Sequence, residues 1–201
     1  MTMIRIATLG PADSNHAFVL SHYLEQRGLQ GSEVILINDF PQAFADLEKG
    51  HYDYLLQVSA HFSHGDCVGH FMHRVFPVDT FIAASRPLAL VARRGVDQPT
   101  SVLRQPATRY YTDLRQWQEI DASTTVEALE RLRAGQADAA IVAEDAVERF
   151  SDELTCLRHL GAALDTWVLY ANRPLSTQNP SSRLSLHDNP ALQEHFNTVR
   201  R

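Results

Sequence analysis

Apolar and polar positions alternate from Ile4 to Leu9 and stop at Gly10-Pro11. Period-two alternation marks a strand with a buried face, and a Gly-Pro pair ends it. Ser14 then stands just ahead of Phe18, Val19, Tyr23 and Leu24, whose spacing lines one face of a helix with Ser14 as its cap. The apolar run 33–37 predicts a second strand, between Gly31 and Asn38-Asp39. A short helix over 40–50 follows, capped by Asp39 and stopped by Gly50, and 52–58 reads as a third strand. This βαβαβ order predicts a parallel sheet with helices on its faces, and such sheets bind ligands at the carboxyl ends of their strands.

Residues 76–91 form a long apolar, strand-like stretch interrupted by Pro77 and Pro87. A second α/β unit follows. Strands are predicted at 101–103, 119–121 and 139–142, with helices at 107–117, 123–134 and 144–150. Gly135-Gln136-Ala137-Asp138 mirrors Gly50-His51-Tyr52-Asp53: a helix stop, then an acidic residue leading into a strand. The pattern therefore predicts two similar lobes, the second inserted into the first. Residues 1–80 open lobe 1, 81–163 form lobe 2, and 164–201 return to lobe 1 through a strand at 166–170. The tail is rich in Ser, Asn and Pro and ends in a predicted helix over 190–199.

Composition narrows the class of partner. The 201 residues are 44% hydrophobic and 21% charged with a formal net charge of −6, and no basic stripe offsets that charge. This argues against nucleic acid. No run approaches the roughly 20 apolar residues of a membrane span. The chain starts on a strand with no secretion signal, and its two cysteines, Cys67 and Cys156, are far apart, so the default location is a reducing cytoplasm.

Candidate chemistry begins at the two helix mouths. Ser14 and the Ser123-Thr124-Thr125 turn each present hydroxyls and unpaired backbone N–H groups, a device that caps ordinary helices and also holds anions. One in each lobe, they suggest a cleft gripping a small molecule with two anionic ends. The expected partner is a small carboxylate, with a homodimer as the candidate assembly. His61, His64, His70 and His73, near Asp66 and Cys67, have spacings that zinc accepts. The run crosses Gly65 and Gly69, so its two pairs need not face one point, and neither a metal nor a cofactor is expected.

These residues resemble the catalytic domain of prephenate dehydratases, and more closely the non-aromatising prephenate decarboxylases of the bacilysin-pathway type. Leu9-Gly10-Pro11 with Ser14 is similar to that family's Leu-Gly-Pro-x-Gly-Thr turn. The stretch 53–65 occupies the place of its Asp-Tyr-x-x-x-Pro-x-Glu-Asn-Ser-x-x-Gly segment. Ser123-Thr124-Thr125-Val126-Glu127-Ala128 resembles its Ser-Thr-x-x-Ala helix start, and Ala137-Asp138-Ala139-Ala140-Ile141 its Ala-Ala-Ile strand. The resemblance covers roughly residues 4–170. It implies an α/β, two-lobed, type II periplasmic-binding-protein-like fold with a ligand cleft between the lobes.

The departures set the expected reaction. Dehydratases carry Thr-Arg-Phe where this chain has Thr166-Trp167-Val168, and the Glu-Asn-Ser run is replaced by Ala60-His61-Phe62. Trp cannot replace the missing charge. When prephenate loses carbon dioxide, protonation of its hydroxyl releases water and aromatises the ring, whereas protonation of a ring carbon keeps the hydroxyl. The resemblance therefore implies a cofactor-independent lyase that decarboxylates without aromatisation. The dehydratase reaction giving phenylpyruvate and a non-catalytic anion-binding or sensing module remain the alternatives.

For that reaction His61 is the first candidate proton donor and His64 the second. Thr166 would position the hydroxyl or a water, and Trp167 would wall the departing carboxylate. Ser14, His16, Ser123, Thr124 and Thr125 are candidate substrate contacts. Arg104 and Gln105 stand before Pro106 in the place of the family's Ser-His-Pro. Arg104 is either the cation that replaces the missing Arg or a solvated residue.

Overall fold

A computed structural model of the chain describes residues 3–174. The first lobe runs β1 (Arg5–Leu9), α1 (Asn15–Gln26), β2 (Glu33–Ile37), α2 (Phe40–Glu48), β3 (Tyr54–Val58), α3 (His64–Phe71) and β4 (Phe76–Ala84). The second runs β5 (Leu88–Arg93), β6 (Ser101–Arg104), a 3-10 helix (Pro106–Tyr111), β7 (Gln118–Asp121), α4 (Thr125–Arg133), β8 (Ala139–Ala143), α5 (Ala146–Arg149) and β9 (Leu154–Gly161). The chain then returns as β10 (Leu164–Ala171).

Each lobe is built on a five-stranded sheet, in the orders β2-β1-β3-β10-β4 and β7-β6-β8-β5-β9. The orders match strand for strand: in each, three parallel strands are followed by the strand that has crossed from the other lobe and then by an edge strand. Both sheets are therefore mixed. The expected parallel arrangement holds for β1, β2 and β3, while β10 and β4 are antiparallel to their neighbours. Helices cover the faces, as in the two-lobed type II periplasmic-binding-protein-like architecture. α2 and α3 bury Phe40, Phe44, Leu47 and Phe71 against one face of the first sheet, and α1 buries Val19, Leu20 and Tyr23 against the other.

The repeated Gly-to-Asp signal is built the same way twice. Gly50 and Gly135 end α2 and α4 with φ of 77° and 75°, a left-handed conformation that costs glycine nothing. The acidic residue three positions later then accepts a backbone N–H at the start of the neighbouring strand. Asp53 takes that of Arg5 at 2.8 Å, and Asp138 that of Thr100 at 2.9 Å.

The boundary expected at residues 80 and 81 falls within β4, which pairs with β10 as far as Ala84. The chain passes between sheets at 85–87 and again at 162–163. The two passages are tied where they meet: Ser85 N–H donates to the Ala163 carbonyl at 2.8 Å, and Ala163 N–H to Ser85 Oγ at 3.0 Å.

Three local expectations are corrected. The helix expected over 107–117 is only the 3-10 helix Pro106–Tyr111, because Asp113 turns back to accept the Arg115 N–H and competes with helical bonding. Residues 64–71, to which no element was assigned, form α3, held by Cys67 and Phe71 buried one turn apart. β9 was not expected, because its exposed Arg158 and His159 mask the alternation of an edge strand. The helix predicted over 190–199 lies outside the described residues.

Candidate functional site

β1 ends at Leu9 and the chain turns through a cis Gly10-Pro11 bond into α1. Ser14 caps that helix as expected, but its hydroxyl serves the fold. It donates to the Leu9 carbonyl at 2.8 Å and accepts the Ala17 N–H at 3.1 Å, which stitches strand to helix. Without a ligand, both the proton and an acceptor site of the expected ligand contact Ser14 are thus used within the fold.

Two residues on, His16 enters a nest of rings. Its centroid lies 5.4 Å from Phe40, 6.2 Å from His61 and 5.1 Å from Trp167, edge-on to the last two. His61 also sits 4.8 Å from Phe40. The cluster gathers the carboxyl ends of β1 and β3 and the mouths of α1 and α2, where the order of elements predicts a site. Burial, with a smaller contribution from His61, pushes the His16 pKa down to about 3, so the ring is neutral. Its Nε2 and the indole N–H of Trp167 are buried without a partner among the described residues.

Trp167 is 0% exposed, packed against Val19, Leu20 and Val58. Its expected role as cleft wall is therefore corrected. It backs His16 from within the core, because alternation along β10 turns it inward. The adjacent Thr166 is exposed, and its carbonyl accepts the Ser59 N–H at 2.8 Å.

His61 is half-buried. Its Nδ1 accepts the Ser63 backbone N–H at 3.3 Å and has Ser63 Oγ at 2.8 Å. A backbone donor fixes Nδ1 as the acceptor, so the proton of the neutral ring is on Nε2. Burial lowers the His61 pKa, Asp39 opposes this, and His64 adds to it. His64, the second candidate donor, turns away: its Nε2 meets Tyr170 Oη at 2.8 Å. The Tyr170 pKa is pushed up to about 12 by burial and by Cys67, so the phenol donates and His64 is held as its acceptor. Among the described residues no three His, Cys, Asp or Glu side chains gather around a point that could hold a metal ion. No described helix is long and apolar enough to cross a membrane.

The second lobe presents charges that answer one another. Arg104 is buried and pairs with Glu119 through Nε and with Asp121 at 2.7 Å through Nη1. It therefore cannot supply the cation absent from Trp167, since two carboxylates of β7 neutralise it. Gln105 caps the 3-10 helix by accepting the Ala107 N–H at 2.8 Å. Thr124 caps α4, accepting the Glu127 N–H at 3.0 Å. The Glu127 carboxylate reaches back to the Ser123 N–H at 2.7 Å and to its hydroxyl. The anion expected at Ser123 is thus the protein's own side chain, a relative of the capping box in which the Glu bonds the residue before the cap.

A hollow of about 150 Å³ joins the lobes, with Asp13 and Arg86 on one side and Thr125, Val126 and Asp145 on the other. The two helix mouths do meet across it, but through Asp13 and Thr125, neighbours of the capping hydroxyls. Arg86 crosses the gap: its guanidinium donates to the Asp13 carbonyl at 2.9 Å and to Asp145 at 2.7 Å. A larger groove of about 460 Å³ runs between α1 and β4, outside the cleft. Sequence reading missed Phe40, Ser63 and Arg86, and took Asp39 only as a cap. Phe40 and Asp39 lie at the carboxyl end of β2, a position the strand order marks.

No protein-family model matches the chain, and no curated protein is significantly similar to it. Solved structures share its architecture. Prephenate dehydratase from Arthrobacter aurescens, crystallised with L-Phe, matches with a TM-score of 0.61 over 98% of this chain and 72% of its own, at 16% identity. Prephenate dehydratase from Staphylococcus aureus subsp. aureus Mu50 matches at 0.55 over 98% and 80%, also at 16% identity. An ABC transporter structure from Parabacteroides distasonis matches at 0.55 over 85% and 66%, at 19% identity. The fold is thus that of two-lobed periplasmic-binding-protein-like proteins. Prephenate dehydratases are among its structural neighbours.

Proposed function

We propose that this protein is a cofactor-independent carbon–carbon lyase that decarboxylates prephenate, or a close cyclohexadienyl analogue, without aromatising the ring, as the bacilysin-pathway decarboxylases do. The observation that carries the reading is Trp167. It stands where the dehydratase pattern has its Arg, is fully buried, and backs a nest of two histidines and a phenylalanine. A site without that cation lacks the group expected to bind an anion beside the leaving hydroxyl.

His61 is the proton donor in this scheme. The imidazolium Nε2–H passes its proton to a ring carbon, the electron pair of the breaking carboxyl bond completes the new bonding, and carbon dioxide leaves with the hydroxyl retained. The burial that lowers the His61 pKa makes its imidazolium a stronger acid but a scarcer one at neutral pH. Turnover should therefore rise as pH falls below the ordinary histidine value of about 6.5. His61→Gln should lower turnover about 10²–10⁴-fold while prephenate still binds, and should flatten that pH profile. The deciding assay incubates the protein with prephenate and follows ultraviolet absorbance together with carbon dioxide release. Rapid formation of phenylpyruvate would replace the decarboxylase with the dehydratase.

A second reading, a binding or sensing module, is favoured by one feature: the hollow between the lobes is lined by Arg86 and Thr125 and by none of His16, His61 and His64. Binding of a small carboxylate with no consumption of prephenate would establish that reading.

A further inference from the structure

We infer that Arg86 is the carboxylate-binding cation of this protein, taking one anionic arm of the ligand in the hollow between the lobes opposite Thr125. The inference rests on the ligand class proposed above, a small carboxylate, and adds the group that recognises it. Arg86 lies in the first passage between the sheets and is anchored from both sides. Its backbone N–H donates to Asn15 Oδ1 at 2.9 Å, Nη1 to the Asp13 carbonyl at 2.9 Å, and its guanidinium carbon stands 5.6 Å from the centre of the Phe18 ring. From the second lobe comes Asp145, at 2.7 Å from Nη2. The side chain is 19% exposed, so the fork is held in place at the edge of the hollow.

Other arginines of the second lobe are committed elsewhere. Arg104 answers Glu119 and Asp121, Arg131 answers Glu127, and Arg133 grips both oxygens of Glu153 while lying over Phe150. Arg86 differs because its one carboxylate partner, Asp145, comes from the other lobe, across the hollow. Asp145 also faces Arg149, at 3.8 Å. A ligand carboxylate can therefore replace Asp145 on Arg86 while Asp145 remains beside Arg149, so two cations that shared one carboxylate then face two. Bidentate pairing suits the planar guanidinium, which has donors to spare beyond the two used here. Across the hollow the Thr125 hydroxyl carries no hydrogen bond to a described residue, and it completes the set of donors. The volume of about 150 Å³ has room for one carboxylate arm. Because the exchange removes the Arg86–Asp145 tie, binding at this point also releases one link between the lobes.

The test is calorimetric titration of the full chain with prephenate and, separately, with malonate at neutral pH and low salt. Arg86→Gln should weaken binding about 10- to 100-fold, the worth of a charge-assisted hydrogen bond, and Arg86→Lys should recover part of it. Thr125→Val should weaken binding about threefold or more. Asp145→Asn removes the competitor and should tighten binding about threefold or more, a sign that a purely structural tie would not give. Equal affinity in the parent and Arg86→Gln, or weaker binding in Asp145→Asn, overturns the inference while leaving the proposed reaction standing. Malonate binding that depends on Arg86, with no response to prephenate, upholds the inference and overturns the proposed reaction. A parent protein that binds neither compound overturns both.

Discussion

After β1 the first lobe buries a histidine, and at the end of β6 the second buries an arginine. These strands hold the same place in matching sheets, yet the two solutions differ in kind. His16 is buried by giving up its charge among Phe40, His61 and Trp167. Arg104 cannot be neutralised, so it is buried by drawing two carboxylates to it. The first solution leaves polar atoms unspent, Nε2 of His16 and the indole N–H of Trp167. The second leaves little, and the Ser123–Glu127 cap beside it is equally self-contained. The two lobes thus differ in what they bury: histidine and aromatic rings in one, internally balanced charge in the other, with Arg86 between them.

The comparison breaks most sharply at Trp167. Trp167→Ala should cost about 3–5 kcal/mol of stability by emptying the space behind His16, read by denaturant unfolding. Trp167→Arg, which restores the dehydratase pattern, should unfold the first lobe rather than confer dehydratase activity, because the side chain at this position is enclosed. Soluble, folded Trp167→Arg that forms phenylpyruvate would contradict this placement.

Acid should act next, and through the first lobe. The unfolded chain protonates His16 near pH 6.5 and the folded chain only near pH 3, so between these values the unfolded state binds the extra proton. The stabilisation is full above pH 6.5 and falls by up to about 1.4 kcal/mol per unit as pH drops toward 3. His16→Phe should remove that contribution, so unfolding curves at pH 7 and 4.5 should lie closer together than in the parent.

Smaller effects separate the two helix caps. Thr124→Ala should cost about 1 kcal/mol, an ordinary cap. Ser14→Ala should cost more, since it also loses the bond to the Leu9 carbonyl, and thermal melts of the pair would rank them. Smallest of all, Arg104→Met should leave ligand affinity within about twofold wherever the protein stays folded, as expected of a residue with no share in the site. A large loss of affinity would return Arg104 to the site.

Much of this molecule was written locally. The alternation in β1, the helical spacing after Ser14 and the paired Gly-to-Asp signals each depend on neighbours within a few residues, and all are read directly from the chain. The order of elements likewise brings the carboxyl ends of β1 and β3 together, and His16 and His61 meet there. Where local signals conflicted, the reading failed. Gly65 and Gly69 concealed α3, and the charges on β9 concealed an edge strand whose pairing partner lies some sixty residues earlier.

By itself, then, the sequence determined the repeated α/β units and the helix caps, because periodicity and capping act over one or two turns of chain. Only the tertiary structure decided what each candidate side chain is free to do. Whether Arg104 carries an available charge depends on Glu119 and Asp121, whether His64 can give a proton depends on Tyr170, 106 residues away, and Trp167 is core rather than wall because of which face of β10 it occupies. Arg86 had no local signature at all. Its position between the lobes arises from contacts 59 to 73 residues apart, and the energy of a buried or shared charge is set by such partners rather than by the residue that bears it.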